Sequence, residues 1–90
     1  MASHNVTIKN FTYSPKEIEI KQGDKVIWTS EDNIEHTVTA DAGEFDSGDI
    51  LKGDPPFEHT FKSAGEVKYH CDHHGAMRGK VTVTTSKSGK

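Results

Sequence analysis

Short segments whose apolar residues recur at every second position set the tightest limit on what this chain can fold into. Val6 and Ile8 alternate with polar neighbours, as do Ile18 with Ile20, Val26 with Trp28, Val67 with Tyr69 and Cys71, and Val81 with Val83. Period two sends successive side chains to opposite faces of an extended strand, so each segment buries one face and wets the other. Breakers fall between the segments: Ser14-Pro15, Gln22-Gly23-Asp24, Gly43, Gly48, Gly53-Asp54-Pro55-Pro56, Ala64-Gly65 and Gly75. Helical periodicity is missing over any useful length. The pattern predicts an all-β chain, an antiparallel β-sandwich of seven to eight strands. Residues 42–56 are acid-rich and barely alternate, which predicts a loop with at most a short strand near Phe45.

A length of 90 residues suits one domain, residues 1–90, with residues 1–4 and 86–90 expected to fray. Apolar residues make up only 31% of the chain, so the core must be thin. The longest apolar run, Val26-Ile27-Trp28, is far too short for a membrane span, and the chain does not open on a signal-like apolar stretch. A net charge of −3 argues against nucleic acid, whose binders must neutralise many phosphates. The charge is uneven: residues 31–58 hold nine acids and one base, Lys52, which reads first as a solvated acidic surface. A single cysteine, Cys71, forms no internal disulfide and is either a small buried hydrophobe or a thiol kept for chemistry.

Potential chemistry concentrates in Tyr69-His70-Cys71-Asp72-His73-His74-Gly75-Ala76-Met77. Cys71, His74 and Met77 are spaced three apart in a tight loop between two strands, so a thiol, an imidazole and a thioether can turn toward one point. A fourth donor must come from elsewhere, and His36, at a strand end after the polar loop 31–35, is the candidate. Zinc would accept the thiolate and imidazoles but not the methionine, whereas copper accepts all four. Two histidines and a cysteine with a weak axial methionine form the electron-transfer copper arrangement, which suits Cu(I) and Cu(II) almost equally. Each residue also has a plainer reading: Cys71 continues the inward parity of Val67 and Tyr69, and Met77 alone would be core filler. His73 offers a competing chelate through Cys71-x-His73.

With these residues the chain resembles the cupredoxins, the blue copper proteins of the plastocyanin and amicyanin type. Cys71-x-x-His74-x-x-Met77 has the short spacing of the amicyanin branch, and His36-Thr37-Val38, Phe45-Asp46-Ser47-Gly48, Thr60-Phe61 and Gly79-Lys80-Val81 fall where that family carries similar strings. The resemblance implies a Greek-key sandwich holding one copper ion, with His36, Cys71 and His74 equatorial, Met77 axial and His74 nearest the surface. It further implies a soluble, monomeric one-electron carrier between redox proteins, in the periplasm or otherwise outside the cytoplasm, with its signal peptide already removed. Two departures stand out. His73 and Gly75 flank His74 where relatives often have proline and a larger residue, and Thr37 stands where many have asparagine tying the ligand loops together.

Other residues take structural roles. Trp28, Tyr69, Phe57 and Phe61 are assigned to packing, His59 to a partly buried position among the phenylalanines, and His70 to the face opposite Cys71. Two other functions use the same residues differently. A copper delivery or storage module would keep the ligands but exchange the metal, and a metal-free interaction domain would place His36 far from Cys71. Neither a nucleophile–base pair nor an open-site carboxylate pattern supports an enzyme.

Overall fold

The computed structural model describes residues 2–85. Eight strands follow in order: β1 (Ser3–Lys9), β2 (Thr12–Ser14), β3 (Glu17–Lys21), β4 (Lys25–Ser30), β5 (Thr39–Ala40), β6 (Phe57–Thr60), β7 (Gly65–His70) and β8 (Arg78–Thr84). There is no helix among the described residues. Two four-stranded sheets form, with orders β2-β1-β4-β6 and β3-β8-β7-β5. The all-β sandwich and its strand number match the sequence reading, but the sheets are mixed and not wholly antiparallel. β1 runs parallel to β4, and β3 runs parallel to β8. Parallel neighbours need a long crossover, which the chain makes by visiting the second sheet for β3 between β1 and β4. Alternation reports which face of a strand is buried and is silent on the direction of its neighbour.

The inward parity holds along most strands. Val6 and Ile8 of β1, Val26 and Trp28 of β4, Tyr69 of β7 and Val81 and Val83 of β8 are buried, while Ile18 and Val67, nearer the sheet edges, are half-buried against them. Burying each such side chain contributes roughly 1.5–3 kcal/mol. Trp28 sits at the centre, edge-on to Tyr69 at 5.4 Å and tilted against Phe57 and Phe45 at 5.7 and 5.8 Å between ring centroids. Burial pushes the Tyr69 hydroxyl up to about 12. Tyr69 also decides a glycine: it pairs with Gly79 across β7 and β8, and a Cβ at residue 79 would stand 2.4 Å from the Tyr69 ring.

The N-terminus corrects an expectation. Ser3 and His4 were expected to fray, yet they pair with Lys25 and Val26 in the first sheet. The anchor is Asp24, whose carboxylate accepts the Ala2 amide at 2.9 Å and meets His4 Nε2 at 3.0 Å. Residues 86–90, also expected to fray, lie outside the described residues. The acid-rich segment near Phe45 forms no strand of its own. It runs beside residues 36–40 through single bridges, His36 with Ile50 and Thr39 with Asp46, and so lines one side of the segment that carries His36.

Candidate metal centre

Four pieces of chain meet at one end of the sandwich. Cys71 directly follows β7, and the return to β8 is closed by two backbone bonds, Cys71 N to Met77 O at 3.1 Å and Met77 N to His74 O at 2.9 Å. The loop 71–77 is thereby folded back on itself, with His74 at its tip. His36 arrives on the connection from β4 in one sheet to β5 in the other and is pinned by two-way backbone bonds with Ile50, at 3.2 and 2.8 Å.

Within this frame His36, Cys71 and His74 offer one donor atom each, all within 4.8 Å of one another. Cys71 Sγ lies 3.5 Å from His74 Nδ1 and 3.9 Å from His36 Nδ1. Metal–nitrogen and metal–sulfur bonds of about 2.0–2.3 Å place trigonal donors roughly 3.5–3.8 Å apart, and the sulfur stands close to that distance from each nitrogen. The convergence excludes the arrangement in which His36 lies remote from Cys71. His36 and Cys71 are fully buried, and His74 is the half-buried member. Met77 is buried, with its backbone bonded to both Cys71 and His74.

His73 is turned elsewhere. Its Nε2 meets Asp49 Oδ1 at 2.7 Å on the exposed side of the loop, and that hydrogen bond holds its pKa above the ordinary imidazole value. The same is true of His70, which faces away from Cys71 as its parity requires: hydrogen bonds with Asp41 at 2.6 Å and Asp72 at 3.1 Å raise it. His59 is half-buried between Phe45 and Phe61, and burial lowers it.

Thr37 performs the tie that its position suggested. Its hydroxyl accepts the Asp72 amide at 2.9 Å, its own amide donates to Cys71 Sγ at 3.4 Å, and its carbonyl accepts the buried Tyr13 hydroxyl at 2.6 Å. An N–H donated to the sulfur stabilises thiolate charge and orients the side chain.

Two residues at this end escape a reading of the sequence. Phe11 is exposed, yet its ring stands edge-on to His36 at 5.3 Å and to His74 at 4.8 Å. It occupies, with Asn10, a two-residue hairpin turn in which both backbones are left-handed, at φ 60° and 53°. Asparagine tolerates that region, but phenylalanine is strained there by roughly 1–2 kcal/mol. The compensation comes from Asp32, whose carboxylate accepts both turn amides, at 2.9 and 3.0 Å, and also the ring of His36. Burial works to raise the Asp32 carboxyl, and the bonds from Phe11, Asn10 and His36 outweigh it and hold the group below its usual range. An aromatic between Asn and Thr, and an aspartate four residues before a histidine, carry no sequence signal strong enough to single them out.

Comparison with known proteins agrees with this centre. The family described as copper binding proteins, plastocyanin/azurin family, matches residues 1–84. Amicyanin of Paracoccus denitrificans is 35% identical over 82 residues, which cover 87% of this chain and 63% of that protein, so the chain spans less than two thirds of that relative's length. Among solved structures, an oxidized mutant of amicyanin superposes with a TM-score of 0.82 at 33% identity, covering 89% of this chain and 80% of the other. A purple cupredoxin from Nitrosopumilus maritimus gives a TM-score of 0.80 at 33% identity, covering 90% and 99%. The chain belongs to the plastocyanin/azurin family of copper-binding proteins.

Proposed function

We propose that this chain is a one-electron carrier whose copper ion would be held by His36, Cys71 and His74, with Met77 as a further, weaker donor. The observation that carries the reading is the convergence of a thiol and two imidazole nitrogens, from segments 35 residues apart, to within 4.8 Å of one another. Bound there, copper supplies a valence that changes by one electron without a change of ligands. The chain does the rest. Backbone bonds fix the loop 71–77, Thr37 holds it to the His36 segment, and burial of Cys71 and His36 keeps water and substrates from the donors. A site so closed suits outer-sphere transfer and not conversion of a substrate. His74, the half-buried ligand, is the side from which an electron enters or leaves. The partners on this reading are redox proteins acting as donor and acceptor, and membership of the family supports a location outside the cytoplasm.

Adding Cu(II) to the purified chain is expected to produce an intense visible charge-transfer band that Cys71→Ala abolishes. A colourless product, or a Cys71→Ala variant that keeps the band, overturns the reading. Voltammetry separates a carrier from a copper delivery or storage module: reversible cycling with the metal retained is expected, and loss of copper on each reduction would favour delivery.

A further inference from the structure

We propose that Asp32 is a positioning residue for the metal centre: its carboxylate fixes His36 with Nδ1 bare toward Cys71 and lends the site a negative charge that favours the more oxidised ion. This inference rests on the copper reading above for its second half only.

The geometry is specific. Asp32 Oδ2 lies 2.8 Å from His36 Nε2 and 3.0 Å from the Phe11 amide, and Oδ1 lies 2.9 Å from the Asn10 amide. All three partners act as donors, as an ionised carboxylate requires, because it can only accept. His36 must therefore carry its proton on Nε2, which leaves the Nδ1 lone pair free on the side facing Cys71 Sγ, 3.9 Å away. A neutral imidazole has one bare nitrogen, and the partner of the other nitrogen selects which it is.

Asp32 is itself held firmly. Its amide donates to Ser30 Oγ at 3.3 Å and its carbonyl accepts the Lys52 amide at 2.8 Å. The residue thus joins the β1–β2 turn, the end of β4, the segment after Ile50 and the His36 ring. Its side chain is only 14% exposed and His36 is fully buried, so solvent screens the charge weakly. A fixed anion beside a ligand ring stabilises the divalent ion more than the monovalent one, simply because the attraction scales with charge. The same carboxylate keeps Phe11 in its strained turn, and Phe11 in turn covers the edges of His36 and His74.

Two measurements test this. In the metal-free wild-type protein, ¹⁵N-detected NMR of the histidine rings is expected to show His36 as the Nε2–H tautomer; the Nδ1–H tautomer would overturn the positioning role. In the copper-loaded Asp32→Asn variant, the volume remains and the charge is gone. The Cu(I):Cu(II) ratio at fixed potential is expected to rise about tenfold, which is about 59 mV for a one-electron couple, with the charge-transfer band retained. An unchanged potential would overturn the tuning role and leave Asp32 as a brace for the turn. A chain that binds no copper defeats the proposed function, and the NMR readout still decides the role of Asp32.

Discussion

The Thr37 amide donates to Cys71 Sγ at 3.4 Å across 34 residues of sequence. One residue of one loop thereby addresses the sulfur of the other, and its hydroxyl fastens the next residue, Asp72, by accepting that amide at 2.9 Å. Thr37→Val keeps the shape and the backbone donor but strips the hydroxyl. The part-buried Asp72 amide then loses its acceptor, which costs about 1–3 kcal/mol. Urea unfolding is expected to show that loss while the copper band survives; unchanged stability would mean that the hydroxyl ties nothing.

The two adjacent histidines should separate cleanly. His74 Nδ1 faces Cys71 Sγ at 3.5 Å, whereas His73 Nε2 is engaged by Asp49 at 2.7 Å. His74→Ala is expected to abolish the charge-transfer band, and His73→Ala to preserve it. The reverse pattern in a visible spectrum would reassign the ligand.

On the proposed reading Met77 is the weak fourth donor, and such a thioether stabilises Cu(II) more than Cu(I). Met77→Leu, close in volume at a buried site, is expected to keep the colour and raise the reduction potential in voltammetry. A fall in potential would contradict that assignment.

Gly79 should tolerate no side chain. An added Cβ would meet Tyr69 Cζ at 2.4 Å, and Tyr69 cannot retreat, because it is packed edge-on against Tyr13 at 4.7 Å and Trp28 at 5.4 Å between centroids. Overpacking of this kind costs typically about 1–3 kcal/mol. Gly79→Ala is therefore expected to lower the denaturation midpoint markedly. Gly75→Ala serves as the control, since nothing lies within 4 Å of its Cβ position, and equal effects of the two would contradict the packing argument.

Acid stability should depend on Asp24. The Ala2 amide, the His4 side chain and the Lys21 amide hold its carboxyl far below the ordinary range in the folded chain. The unfolded chain titrates near about 3.9, so between there and the folded-state value the unfolded form binds the extra proton. The stabilisation is fully present above the unfolded value and is lost as pH falls through that window. Asp24→Asn is expected to lower stability at neutral pH and to flatten its decline in acid. An equally steep acid decline in the variant would place the effect on other carboxylates.

Strand content and the ligand loop were legible in sequence because both are local. Parity over six or seven residues marks the buried face of β1, β4, β7 and β8, and a spacing of three within a tight turn places Cys71, His74 and Met77 on one loop. Thr37 was marked by the family resemblance, as the position where many relatives carry asparagine. What only the tertiary structure decided are meetings between distant segments. The parallel pairing of β1 with β4, the clamp of Asp24 on residues 2–4 and the reach of Asp32 to a turn 21 and 22 residues earlier leave no periodic trace. Each depends on which surfaces the two sheets bring face to face, and a hydrogen bond made by a lone aspartate looks, in the sequence, like any other solvated charge. His36 stands between these cases: its chemistry was readable, and its 3.9 Å approach to Cys71 existed only once the sandwich closed.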